Sequence, residues 1–181
     1  MDIKPLLKQI INGDRQAFAG VVAHYQRPLF GFLGRMALSQ GHAEEIAQET
    51  FLRAWTNLGS YKPDVAEFST WLFTIARNLA LHELERAAHQ REIAVQDELP
   101  EQVCERLQPP DEFARVQQQR RLQLALHKLP LSDRSALALA YIHDLDLAAI
   151  ARIEGCTTGA IKTRLHRAKE KLRELLEESD G

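Results

Sequence analysis

Residues 144–172, DLDLAAIARIEGCTTGAIKTRLHRAKEKL, constrain this chain more than any other stretch. Leu147, Ile150, Ala151 and Glu154 fall at i, i+3, i+4 and i+7, which predicts a short helix with one buried, mostly apolar stripe. Gly155 is placed to end it, because glycine adopts the left-handed stop conformation without steric cost. Thr157 or Thr158 can cap a second helix by accepting a backbone N–H bond. Ile161, Leu165, Ala168 and Leu172 recur at i, i+4, i+7 and i+11 and mark that helix's buried face. Lys162, Arg164, Arg167, Lys169, Lys171 and Arg173 cover much of the rest. This is the layout of a helix-turn-helix, in which a short helix supports a second one that enters the DNA major groove.

An amphipathic pair with a solvated charged face is the plainer alternative. Two features favour DNA. Residues 157–173 carry six Lys/Arg against the single acid Glu170, a net of +5 on a chain whose total is −2, whereas a merely solvated helix tends to mix both signs. The Gly-Cys-Thr-Thr turn also places a capped helix N-terminus where base-reading side chains are wanted.

Charge divides the chain into three zones. Residues 1–92 are neutral, with ten basic and ten acidic side chains. Residues 93–116 carry Arg106 and Arg115 against six acids, Asp97, Glu98, Glu101, Glu105, Asp111 and Glu112, a net of −4. Residues 117–181 are net +2. The middle zone also holds Pro100, Pro109 and Pro110, residues excluded from helix interiors, and its apolar residues keep no period. The expected fold is all-α: two small helical domains, 1–92 and 117–181, joined by a flexible acidic linker at 93–116, with the helix-turn-helix in the second.

The first zone reads as helices almost throughout. A short one ends at Asn12-Gly13, and Asp14 can cap the next, which Pro28 should bend or restart and Ser39-Gln40-Gly41 should break. Residues 43–55 form the cleanest amphipathic segment, with Ala43, Ile46, Ala47, Thr50, Phe51, Ala54 and Trp55 on one stripe. After a loop around Gly59 to Asp64, Phe68, Leu72, Ile75, Ala76 and Leu79 mark another helix running to about Arg91.

Two surfaces stand out there. Glu44, Glu45, Gln48 and Glu49, with Leu52 turned outward, lie off the buried stripe of 43–55. Acids in a first turn favour the helix dipole, and the same cluster around an exposed leucine suits a basic helical partner. Asn57, Tyr61, Lys62, Phe68, Trp71, Arg77 and Asn78 interleave aromatic, basic and amide side chains, a mixture suited to unstacked bases. Phe68 belongs to the apolar stripe and reads as core; Trp71 lies one step off it and fits either role.

No Walker loop, GxGxxG or GxSxG occurs, and the seven histidines form no i, i+3 or i+4 pair. No catalytic set, metal site or cofactor is therefore expected. Cys104 and Cys156 stand 52 positions apart and read as reduced thiols. No apolar run approaches the roughly 20 residues that span a bilayer, and no signal-peptide pattern opens the chain, so a cytoplasmic protein without membrane insertion is expected.

Taken in order, AEEIAQETFLRAW (43–55), FSTWLFTIARN (68–78), LHKLPLSDRSALAL (126–139) and GAIKTRLHRAKEKLR (159–173) resemble an alternative bacterial sigma factor of the extracytoplasmic-function type. The resemblance implies a non-enzymatic factor that binds core RNA polymerase, directs it to a two-part promoter and helps open the DNA. It maps polymerase binding to Glu44, Glu45, Gln48, Glu49 and Leu52. It maps the −10 element to Asn57, Tyr61, Lys62, Trp71, Arg77 and Asn78, and the −35 element to Thr158, Lys162, Thr163, Arg164, His166 and Arg167. It also implies an anti-sigma partner and an acidic linker that threads polymerase channels. Three positions depart from the family pattern: His42 where an acid is common, Glu83 and Glu85 in a segment that is often basic, and Ala149 where the first helix of the helix-turn-helix usually has Glu. A stand-alone helix-turn-helix regulator, with the first zone as a ligand or dimerisation domain, is the competing reading.

Overall fold

A computed structural model describes the backbone of residues 3–93 and 110–178, and side chains over 3–90 and 116–178. Eight α-helices occupy the described residues, which contain no strand. They are α1 (Lys4–Ile11), α2 (Phe18–Arg35), α3 (Gln40–Thr56), α4 (Phe68–Ile93), α5 (Pro110–His127), α6 (Leu131–Ala140), α7 (Leu147–Glu154) and α8 (Thr158–Glu178). Short 3₁₀ turns lie at Arg15–Ala17 and Leu58–Ser60.

Local chemistry explains most boundaries. The Asp14 carboxylate accepts from Gln16 N–H at 3.0 Å and starts the 3₁₀ turn ahead of α2. Ser39 Oγ accepts from His42 N–H at 3.3 Å and caps α3. Gln40 and Gly41 therefore lie in the first turn of α3, and the break falls earlier, at Met36 to Ser39. Helix α2 runs unbroken through Pro28, where the sequence alone predicts a bend or restart. Val21, Tyr25, Leu29, Phe32 and Leu33 are buried along its length, and that continuous apolar face outweighs one missing backbone hydrogen bond. Helix α5 begins at Pro110, inside the stretch expected to be linker. Proline suits a helix's first position, where its missing N–H would have no partner anyway. The remaining linker positions, Cys104 and the acids from Asp97 to Glu105 included, lie outside the described residues.

Helices α2, α3 and α4 pack on one another around Phe32, Phe68, Phe73 and Tyr25. The Phe32 and Phe73 rings meet edge-on at 5.8 Å, and Tyr25 lies 5.7 Å from Phe68. Burial pushes the Tyr25 hydroxyl above its ordinary range, with Asp144 adding to the shift. Phe68 is core, as its stripe position predicts. Helices α6, α7 and α8 form the second packed group around Leu139, Ile150, Ile153, Ile161 and Leu165.

The two groups also pack against each other, α2 on α6 and α4 on α7. Arg134 is buried and spans the junction. Its guanidinium donates to Met36 O at 3.1 Å, His127 O at 2.8 Å and Leu129 O at 3.1 Å. Gln123 Nε2 donates to Gly34 O at 2.9 Å, and the Arg35 guanidinium lies 4.7 Å above the Tyr141 ring. His24 Nε2 lies 3.5 Å from the Asp144 carboxylate, and Arg152 donates to Val65 O.

Gly155 ends α7 in the left-handed region, with φ of 65°, and nothing lies within 4 Å of where a Cβ would stand. Gly155→Ala is therefore expected to cost about 1–2 kcal/mol through backbone strain alone. Denaturant unfolding should show a lower midpoint with an unchanged slope.

Candidate nucleic-acid interface

Asp146 Oδ1 accepts from Ala149 N–H at 2.7 Å and caps α7. Past Gly155, Cys156 N–H returns to Ala151 O at 2.9 Å, closing the turn. Of the two threonines that could cap α8, Thr157 does so, its Oγ1 accepting from Ala160 N–H at 3.1 Å. Ile161, Leu165 and Ala168 are buried against α6 and α7 as their spacing predicts, and the buried face continues through Leu175. That orientation turns Thr158, Lys162, Thr163, His166 and Arg167 outward, where all five are exposed. Leu147, on the predicted stripe of α7, is 37% exposed, while Ile153, off it, is buried.

Arg164 and Arg167, two arginines of the basic face, are held by carboxylates beneath it. Arg167 Nη2 donates to Asp133 Oδ1 at 2.9 Å, and Asp133 is buried. Arg164 Nη1 donates to Glu154 Oε2 at 3.1 Å. The Glu154 side chain has no solvent contact. It accepts from Ser135 Oγ at 2.5 Å and, from the other helical group, from Arg77 Nη2 at 3.2 Å and Nε at 3.4 Å. Arg77 and Arg164, expected on separate elements of a promoter, thus meet on one carboxylate. Asp133, Ser135 and the role of Glu154 escaped the sequence reading. The one available signal was a glutamate on an otherwise apolar stripe.

The other expected −10 residues lie around the N-terminal half of α4. The Tyr61 ring lies 5.5 Å from Trp71 at a tilt of 43°, and both rings contact Phe68. Tyr61 and Trp71 are half-buried, so each keeps part of its ring accessible. Burial raises the Tyr61 hydroxyl, and nearby Glu67 raises it further. Lys62, Asn57 and Asn78 are exposed. Asn57 spends its amide on Arg53 O at 2.9 Å, closing the end of α3, and Asn78 Oδ1 accepts from Arg77 Nη1 at 3.3 Å.

On α3, Glu44, Glu45 and Gln48 are exposed, Glu49 is partly exposed and Leu52 is 56% exposed. Glu49 accepts from Arg53 Nε at 2.6 Å, and Gln40 Nε2 donates to Glu44 at 3.1 Å. Two of the departures noted in the sequence meet nearby. His42 Nε2 lies 3.7 Å from Glu83, whose carboxylate also accepts from Arg86 at 2.8 Å. The acid that is unusual on α4 is therefore compensated locally. Among the described residues no group of three or more His, Cys, Asp and Glu side chains could hold a metal ion, and no helix is long and apolar enough to cross a membrane.

Residues 21–90 match the family description Sigma-70 region 2, and residues 119–172 match Sigma-70, region 4. The chain is similar to the ECF RNA polymerase sigma factor SigW of Bacillus subtilis, 34% identical over 97% of both chains. Among solved structures it resembles CnrH in complex with the cytosolic domain of CnrY, with a TM-score of 0.70, 24% identity and 95% of both chains covered. It also resembles the sigma factor RpoE of Bartonella quintana, solved with the anti-sigma factor NepR, with a TM-score of 0.69 and 24% identity, covering 88% of this chain and 96% of that one. These two structural likenesses support the fold.

The Arg86 hydrogen bond holds the Glu83 carboxyl below its ordinary range, with the charges of Arg86, His42 and His82 adding to the effect. A carboxyl depressed on folding stabilises the protein above its unfolded pKa, and that contribution is lost as pH falls through its folded value. Glu83→Gln should therefore flatten the acid side of the melting temperature against pH and leave the neutral side's slope unchanged.

Proposed function

Because the chain belongs to the sigma-70 family, as an alternative sigma factor of the ECF type that directs transcription initiation, we propose that three of its surfaces divide that work. The N-terminal turns of α8 read the −35 element through Thr158, Lys162, Thr163, Arg164, His166 and Arg167. The loop before α4 and that helix's first half, with Asn57, Tyr61, Lys62, Trp71, Arg77 and Asn78, hold the −10 element. The outward face of α3, with Glu44, Glu45, Gln48, Glu49 and Leu52, binds the polymerase core. The observation that carries the reading is the orientation of α8: its apolar stripe is buried, so its basic face is turned to solvent.

The chemistry of each surface fits its task. Lys162 supplies a compact positive charge for backbone phosphates, which fixes register without reading sequence. Asp133 restricts the Arg167 guanidinium, reducing the freedom it would lose on reaching a base edge. The half-buried Tyr61 and Trp71 rings, with the exposed Asn78 two turns further along α4, offer a setting for an unstacked base of the melted strand. Acidic side chains around Leu52 offer charge complementarity at the rim and an apolar contact in the centre.

The same reading makes this a regulatory, non-catalytic protein acting in the cytoplasm with core polymerase and promoter DNA. The CnrH and RpoE structures contain the cytosolic domain of CnrY and the anti-sigma factor NepR, respectively, and we extend an anti-sigma partner to this chain. The acidic segment between α4 and α5 serves as the tether that lets the two helical groups reach separate promoter elements. A stand-alone regulator would instead bind duplex DNA tightly by itself.

In transcription reconstituted with core polymerase, Arg167→Ala should lower initiation from the cognate promoter by an amount corresponding to about 1–3 kcal/mol. Unchanged output would remove Arg167 from the reading face. Reversing Glu45 and Glu49 to Lys should weaken capture of core polymerase in a pull-down while the circular dichroism spectrum stays helical. Full capture would discard the α3 assignment.

A further inference from the structure

Asp133 and Arg167 form an unequal pair. Asp133 lies in the first turn of α6, where the positive end of the helix dipole suits an acid, and its side chain is only 5% exposed. Arg167 lies on the outward face of α8, with a side chain 68% exposed. Its Nη2 donates to Asp133 Oδ1 at 2.9 Å. A guanidinium carries its N–H donors in a rigid fork, so this bond leaves other donors of Arg167 uncommitted at the surface.

Neither neighbouring arginine accounts for the acid. Arg134, next in the chain, gives its Nη hydrogens to the backbone carbonyls of Met36, His127 and Leu129. Arg164, one turn before Arg167 on α8, is bound to Glu154 and is only 23% exposed. Stability does not call for an acid here either, because apolar side chains of similar size often replace a buried ion pair at no cost.

We propose that Asp133 is a specificity-determining positioning residue for the −35 element, which keeps Arg167 off phosphates and directs it to a base edge. The inference deepens the proposed assignment of Arg167 to DNA and rests on it. Beyond limiting the rotamers of Arg167, Asp133 cancels its charge at close range. The pair is formally neutral. It therefore gains little from a phosphate, whose hold on a basic side chain comes from full opposite charge and released counterions. A base edge instead presents oriented acceptors of partial charge, and the uncommitted donors of Arg167 still meet these. The anion beneath α8 thus penalises the wrong partner more than the right one. Phosphate contacts fall to side chains such as Lys162, exposed on the same face.

The test uses holoenzyme reconstituted with the full-length chain. Its affinity is measured, over a range of salt, for a promoter duplex on which it initiates and for the same duplex with a scrambled −35 element. Asp133→Asn, which keeps the shape and removes the charge, should lower the ratio of the two affinities at least about fivefold. The scrambled duplex should bind more tightly, with a log–log salt slope steeper by about one. A merely structural role would weaken both duplexes together, and an unchanged ratio overturns the proposal. So does a ratio lowered through the promoter duplex alone, with the salt slope on the scrambled one unaltered. In an Arg167→Ala background, Asp133→Asn should change nothing; a further fall in the ratio means that Asp133 does not act through Arg167. Arg167→Ala by itself separates the two ideas. An unchanged ratio means that the DNA assignment of Arg167 has failed, and a lowered ratio beside an unaltered Asp133→Asn means that the positioning role has. Should Asp133→Asn fail to fold, Asp133→Leu, which fills the same space without charge, carries the same comparisons.

Discussion

A carboxylate removed from water must find compensating charge and hydrogen bonds, and Glu154 finds them in three side chains from three helices. Those bonds tie α7 to α6, α8 and α4. They also determine which arginines lie inward and which remain available at the surface. Arg134 meets the opposite requirement nearby: a buried guanidinium, pushed below its ordinary range by desolvation, placed among backbone carbonyls at the ends of α2 and α5. The junction between the two helical groups is thus built around one buried anion and one buried cation; the Arg134 Nη atoms are bonded to backbone carbonyls, while its buried Nε has no partner.

The junction combines apolar packing with buried charge. An interface made only of large apolar side chains would bind its halves firmly, because every opened surface would cost hydrophobic free energy. Here the buried apolar side chains of the two groups form one continuous core, from Phe32 and Phe73 on one side to Leu139 and Ile161 on the other. Polar contacts cross beside it, from Arg77 to Glu154, from Arg134 to Met36 O and from Gln123 to Gly34 O. Among the solved structures with a similar fold are CnrH in complex with the cytosolic domain of CnrY and the sigma factor RpoE in complex with the anti-sigma factor NepR.

Legibility in the sequence followed the range of the interactions involved. The Gly155 stop, most of the α8 stripe and a threonine cap are set by residues a few positions apart and follow the spacing, with Thr157 taking the cap of the two candidates and Leu172 only partly buried. Pro28 misled because the helix-breaking cost is local, whereas the apolar face that overrides it is assembled from α2, α3 and α4 together. Pro110 misled in the same way: read as a linker residue, it occupies the first turn of α5. Phe68 was legible because its burial follows from periodicity, and Trp71 was not, because its half-burial depends on Tyr61 folding back from the preceding loop.

The sequence by itself determined the helices, their buried stripes, the turn between α7 and α8 and the sign of charge on each surface, since those depend on neighbours within two or three turns. Only the tertiary structure decided the partners of the charges. Arg77 and Glu154 are 77 residues apart, and no periodicity links them. Whether an arginine faces DNA, solvent or a buried carboxylate is a question of distances across the fold, because electrostatic pairing depends on position in space and on exclusion of water.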